Sequence, residues 1–110
     1  MNDRELLEAA AKAAGIKYTK PTSEYSGAYG LAVEDEHGRI VRDWNPLQDD
    51  GDALRLAVRC RIDLVLSSED NLSAYCRVLK DFVEEPRTAD PASATRRAIV
   101  RAAAALGGAK

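Results

Sequence analysis

The chain has 110 residues, 45% of them hydrophobic and 31% charged, with 16 Lys and Arg against 18 Asp and Glu for a formal charge of −2. That length fits one domain spanning residues 1–110 and burying roughly two thirds of the surface of its unfolded chain, and the composition excludes collagenous and disordered classes. The longest apolar run falls short of the roughly 20 residues of a membrane span, and MNDRELLEAA is charged where a secretory leader needs its apolar stretch, so the expected compartment is the cytoplasm, with no membrane partner.

In chain order, DRELLEAAAKAAGI places Leu6, Leu7, Ala10, Ala13 and Ala14 on one helical face and Arg4, Glu5, Glu8 and Lys12 on the other. Asp3 is a suitable N-cap, and Gly15 followed by Ile16 suits a left-handed C-terminal residue with an apolar contact back onto the last turn. Residues 17–28 hold no period and contain Pro21 and Gly27, which predicts a loop. A hairpin follows, with Tyr29, Leu31 and Val33 on one side, a turn at Glu36–Gly38, and Ile40 and Val41 on the return strand.

From Asp52 to Arg61 the period is helical. Ala53, Leu54, Leu56, Ala57, Val58 and Cys60 cover more than half the circumference, leaving Arg55 and Arg59 as the residues that clearly face water. So wide a stripe predicts burial against both a sheet and a neighbouring element. Ile62, Leu64 and Leu66 then share a strand face, Ser68–Asn71 make a polar turn, and one long strand runs from about Ser73 to Val83. After a loop at residues 84–90, Asp90 caps and Pro91 opens a last helix with Ile99, Ala103 and Leu106 on its core line. The order α-β-β-α-β-β-α predicts an α+β fold: a mainly antiparallel four-stranded sheet with helices on both faces as a three-layer α/β/α sandwich.

The net charge is uneven. Residues 91–110 hold Arg96, Arg97, Arg101 and Lys110 without an acid, which is +4, so residues 1–90 carry −6. A basic C-terminal helix on an acidic body disfavours nucleic acid as a partner, and binding through Arg97 and Arg101 would be weak and salt-sensitive. Cys60 and Cys76 fit no metal or disulfide spacing and are expected as free core thiols. His37 is the single histidine and falls in a turn. No nucleophile elbow, phosphate-binding glycine loop or zinc-protease motif occurs, so no catalytic residue, metal or cofactor is assigned.

WNPLQDDGDALRLAV and DPASATRRAIVRAAAALG, together with ELLEAAAKAAGI near the start, resemble the small bacteriophage and prophage proteins described by their alpha-beta-alpha (ABA) sandwich domain. The resemblance implies a central sheet between helical layers, a phage or prophage origin in a bacterial host cell, and no established biochemical activity. It carries no site residues over.

The binding candidates therefore come from local chemistry. Trp44 and Asn45 can stack on and hydrogen-bond a ligand, although a tryptophan at a strand end commonly packs in the core and Asn-Pro forms turns. Asp49, Asp50 and Asp52 offer oxygens to a hard cation but lack the alternate ligand spacing and closing glutamate of a calcium loop; capping the following helix needs only these residue types. Arg97 shares the outer face of the last helix with Arg101, whereas Arg96 lies near its apolar line and should reach a carboxylate of the acidic turn or a nearby backbone carbonyl. The leading expectation is a non-enzymatic phage accessory protein that binds a protein partner or assembles as a homo-oligomer. The alternatives are a small-molecule or nucleotide-binding enzyme at Trp44 and the acidic turn, and a weak nucleic-acid binder.

Overall fold

The computed structural model describes residues 2–19 and 30–108. The elements are α1 (Asp3–Ala14), β1 (Tyr18–Thr19), β2 (Leu31–Glu34), β3 (Ile40–Trp44), α2 (Asp50–Arg59), β4 (Ile62–Val65), β5 (Asn71–Cys76), β6 (Asp81–Pro86) and α3 (Pro91–Leu106). Tyr29 and most of the expected 17–28 loop lie outside the described residues. None of the described helices is long and apolar enough to cross a membrane.

The helix ends follow the local chemistry. Asn2, rather than Asp3, caps α1: its side chain accepts from the Glu5 N–H at 2.8 Å while Glu5 reaches back to the Asn2 N–H, a reciprocal capping box. Gly15 adopts a φ of 70° and ends the helix in the left-handed conformation, with the Ile16 N–H donating to the Ala11 carbonyl at 2.9 Å. Asp90 accepts from the Ser93 N–H at 3.1 Å and Pro91 occupies the first turn of α3, as expected.

The chain is α+β, but its strands do not form the expected four-stranded sheet. They form two separate three-stranded antiparallel meanders, β1-β2-β3 and β4-β5-β6. Two extra strands account for the difference. Tyr18 and Thr19, expected in a loop, pair with Val33 and Ala32. The long strand expected over Ser73–Val83 breaks at Arg77–Lys80, where the chain reverses with Lys80 at a φ of 55° and Phe82 comes opposite Tyr75. That turn contains no Gly, Pro, Asn or Asp, and Val78 and Leu79 sit exposed in it, so the usual composition cue is missing. The β6 strand also extends to Pro86, into the expected 84–90 loop.

A helix, not a sheet, holds the middle of the molecule. One side of α3 packs on α1, another on β5 and β6, and it also meets α2. Ala94, Ala98, Ile99, Val100, Ala102, Ala103 and Ala104 are all buried, which is burial nearly all round rather than along one line. Small side chains permit this. A Cβ at Gly107 would run into the Ala9 carbonyl, so α1 and α3 approach closely. The central-sheet α/β/α sandwich is therefore replaced by a central α3 flanked by α1 and the second meander. Along β5, Leu72, Ala74 and Cys76 face the core while Asn71, Ser73 and Tyr75 are only partly covered, the pattern of a sheet with one helix-covered face. From the first meander, Leu31 and Trp44 face each other across the ladder and enter the same core.

The α2 stripe differs most from expectation. Asp52, Ala53, Leu56 and Ala57 are buried, but Leu54 and Val58 are 61% and 72% exposed. Among the described residues the helix is covered on one side only, so the wide apolar stripe predicted to be buried twice over is half exposed.

Candidate functional site

The segment between β3 and α2 folds around one carboxylate. Asn45 makes the turn: its side-chain oxygen accepts from the Leu47 N–H at 3.1 Å and its carbonyl accepts from the Asp49 N–H at 2.8 Å. Asp49 then caps α2, accepting from the Asp52 N–H at 2.8 Å. Asp52 turns inward and is 5% exposed, the single buried charged residue among those described. Its Oδ2 accepts from the Asn45 N–H at 3.0 Å, and its Oδ1 accepts from Arg42 at 2.9 Å and from Arg55 at 2.8 Å. Burial by itself would raise the acid's pKa and is the largest single influence. The hydrogen bonds from the Asn45 N–H, Arg55 and Arg42 together outweigh it and leave the pKa below its ordinary value.

Two hollows flank α2. The first, about 210 Å³, has Trp44, Leu56, Ala14 and Ile16 as its apolar wall and Arg42, Arg55 and Arg59 at its rim. Strand alternation puts Arg42 on the same side of β3 as Trp44, and helical spacing stacks Arg55 and Arg59 one turn apart. The second, about 310 Å³, is a groove between α2 and α3, lined by Leu54, Leu64, Leu66, Ala92 and Ile99 and bounded by Asp50 and Arg96.

Arg96 occupies the position expected of it. Its Nε donates to the Leu47 carbonyl at 2.9 Å and its Nη1 to Asp50 at 2.6 Å, tying α3 to the start of α2. Arg97 pairs with Asp3 of α1 at 2.9 Å, and Arg101 bonds the Glu84 carbonyl at 3.0 Å and pairs with Glu85. Asp49, Asp50, Asn45 and Arg96 thus form a scaffold of cap, turn and clamp, while Trp44, 2% exposed, is a core residue that also lines the first hollow. The arginine trio escaped the sequence reading because Arg42 is separated from Arg55 in the chain; the available signal was Arg55 and Arg59 at helical spacing beside an alternating strand. Among the described residues no three His, Cys, Asp or Glu side chains are grouped to hold a metal ion. Cys60 and Cys76 are free and buried side by side, and burial, then the neighbouring Cys76, pushes the Cys60 thiol pKa up. No family model, curated protein or solved structure matches the chain.

Proposed function

We propose that the protein is a non-enzymatic binding module that assembles as a two-fold homodimer through the outer face of α2, serving as an accessory protein of a phage or prophage. The observation that carries the assembly is the pair Leu54 and Val58, one helical turn apart and 61% and 72% exposed. Leu66, 47% exposed, continues the apolar surface into the groove beside α3. Contiguous apolar surface of this kind marks an interaction site in a folded domain.

A second copy is the occupant that the charges favour. Asp50, whose side chain stays 80% exposed beside Arg96, stands at the start of α2, and the exposed Arg61 just past its end. Two α2 helices packed antiparallel about a two-fold axis set each acidic end against the partner copy's basic end and align the helix dipoles favourably. A stable interface takes about 800 Å² per partner, roughly a ninth of the 6933 Å² surface. The phage origin rests on the sequence resemblance. Nucleic acid on α3 is disfavoured because Arg97 and Arg101 are engaged by acids of their own chain.

Sedimentation velocity tests the assembly. The expected species has about twice the 11.9 kDa chain mass, and Leu54→Asp with Val58→Asp converts it to a monomer with unchanged circular dichroism. A wild-type protein that stays monomeric across the accessible concentration range sinks the proposal.

A further inference from the structure

We propose that the hollow over Trp44 is a binding site for a small free phosphoryl anion, gripped by Arg42, Arg55 and Arg59. The three arginines come from β3 and from one side of α2 and line a single cavity of about 210 Å³. That is below the usual range of roughly 300–1,000 Å³ for drug-sized ligands, so the site suits one phosphoryl group with few further atoms and not a whole nucleotide.

Charge and geometry select the ligand. Three arginines contribute +3 and Asp52 contributes −1, which leaves +2 around a wall of Trp44 and Leu56. A phosphate monoester carries about −1.5 to −2 at neutral pH and offers three oxygens to three donors, whereas a carboxylate offers two. The apolar wall lowers the local dielectric and strengthens each contact.

Asp52 acts as a positioning residue. It spends one oxygen on both Arg42 and Arg55, taking one donor from each, while each guanidinium has five N–H groups. The remaining donors stay available with their side chains already oriented, so less conformational freedom is lost when an anion enters. Arg59 is held close to the C-terminus of α1: a Cβ placed on Gly15 would lie 3.5 Å from its Nη2.

Isothermal titration at low ionic strength, with inorganic phosphate as the probe and sodium chloride as the matched control, tests the assignment. Saturable phosphate binding is expected, weakened about tenfold or more in Arg59→Gln and unchanged in Arg97→Gln, which alters an arginine elsewhere on the surface. Arg59 makes no ion pair among the described residues, so its variant should keep the fold, checked by circular dichroism. Binding no stronger than that of chloride overturns the proposal, as does phosphate binding that is equal in wild type and Arg59→Gln. Succinate binding as tightly as phosphate overturns the phosphoryl assignment. So does a single-stranded oligonucleotide that binds through Arg59 while free phosphate does not.

Discussion

Asp52 holds two arginines and a backbone N–H, so its ionisation is linked to folding. Its folded pKa lies below the ordinary 3.8, so the unfolded chain takes up the proton more readily. The stabilisation is therefore fully present above about pH 4 and is lost as the pH falls through the depressed folded value. Asp52→Asn keeps the shape but weakens three charge-assisted contacts, whose arginine ends remain partly solvated at 46% and 65% side-chain exposure. A cost of about 1–3 kcal/mol at neutral pH is expected. Urea denaturation at a series of pH values should show the gap between wild type and Asp52→Asn closing below pH 4. Arg96 allows a second comparison. Its side chain is 17% exposed and serves both Leu47 and Asp50, whereas the Arg97 side chain is 38% exposed and pairs with an exposed Asp3. Arg96→Ala should cost about 1–3 kcal/mol by leaving the Leu47 carbonyl short of its partner, and Arg97→Ala about 0–1 kcal/mol. Equal denaturation midpoints for the two variants would remove the clamp from the account.

At the scale of elements, the α1–α3 contact depends on smallness. Ala10, Ala11 and Ala14 on α1, and Ala103 and Ala104 one turn before Gly107 on α3, are buried with hardly any side chain to separate the helices. Such helices gain little apolar area per residue but approach closely enough for extensive dispersion contact. Gly107 marks the limit of this approach. Its φ of −77° is open to any residue, so backbone strain does not explain the glycine; the Ala9 carbonyl does. Gly107→Ala is expected to destabilise by about 1–3 kcal/mol through overpacking, visible as a lower urea midpoint with an unchanged slope. A neutral result would mean that the end of α3 yields easily and that the tight contact lies nearer its middle. By contrast, α2 has one face in the core and an adjacent face made of Leu54 and Val58 in solvent. An amphipathic helix whose second apolar face has no partner among the described residues is what an assembling surface requires.

For the whole molecule, both meanders and all three helices contribute to one core, from Leu7 and Leu31 through Trp44 and Leu56 to Val100. Because α3 touches α1, α2 and the second meander, it joins segments far apart in sequence, and unfolding should be cooperative. If α2 pairs with a second copy, stability becomes coupled to protein concentration. The melting temperature of the wild type should then rise with concentration, and that of the Leu54→Asp, Val58→Asp variant should not. A concentration-independent melting temperature in both would agree with a monomer and count against the α2 dimer.

Local chemistry alone determined much of this protein. Helix caps and stops at Gly15, Asp49, Asp90 and Pro91 were legible because capping needs only particular residue types beside a periodic run. The hairpin around Gly38 was legible for the same reason, and Arg96 was legible because a cation near an apolar line must find an acceptor. Tertiary structure decided the rest. The reversal at Arg77–Lys80 carries no turn residue, so the pairing of β6 with β5, not the turn's own preference, sets it. Burial of α3 on several sides depends on neighbours brought from both ends of the chain. The arginine hollow depends on β3 and α2 meeting at Asp52, a carboxylate that sequence assigned to the first helical turn as a capping group. Periodicity says which residues share a face, but only the packed neighbours decide whether that face is covered. For that reason Leu54 and Val58 were predicted in the core and stand in solvent.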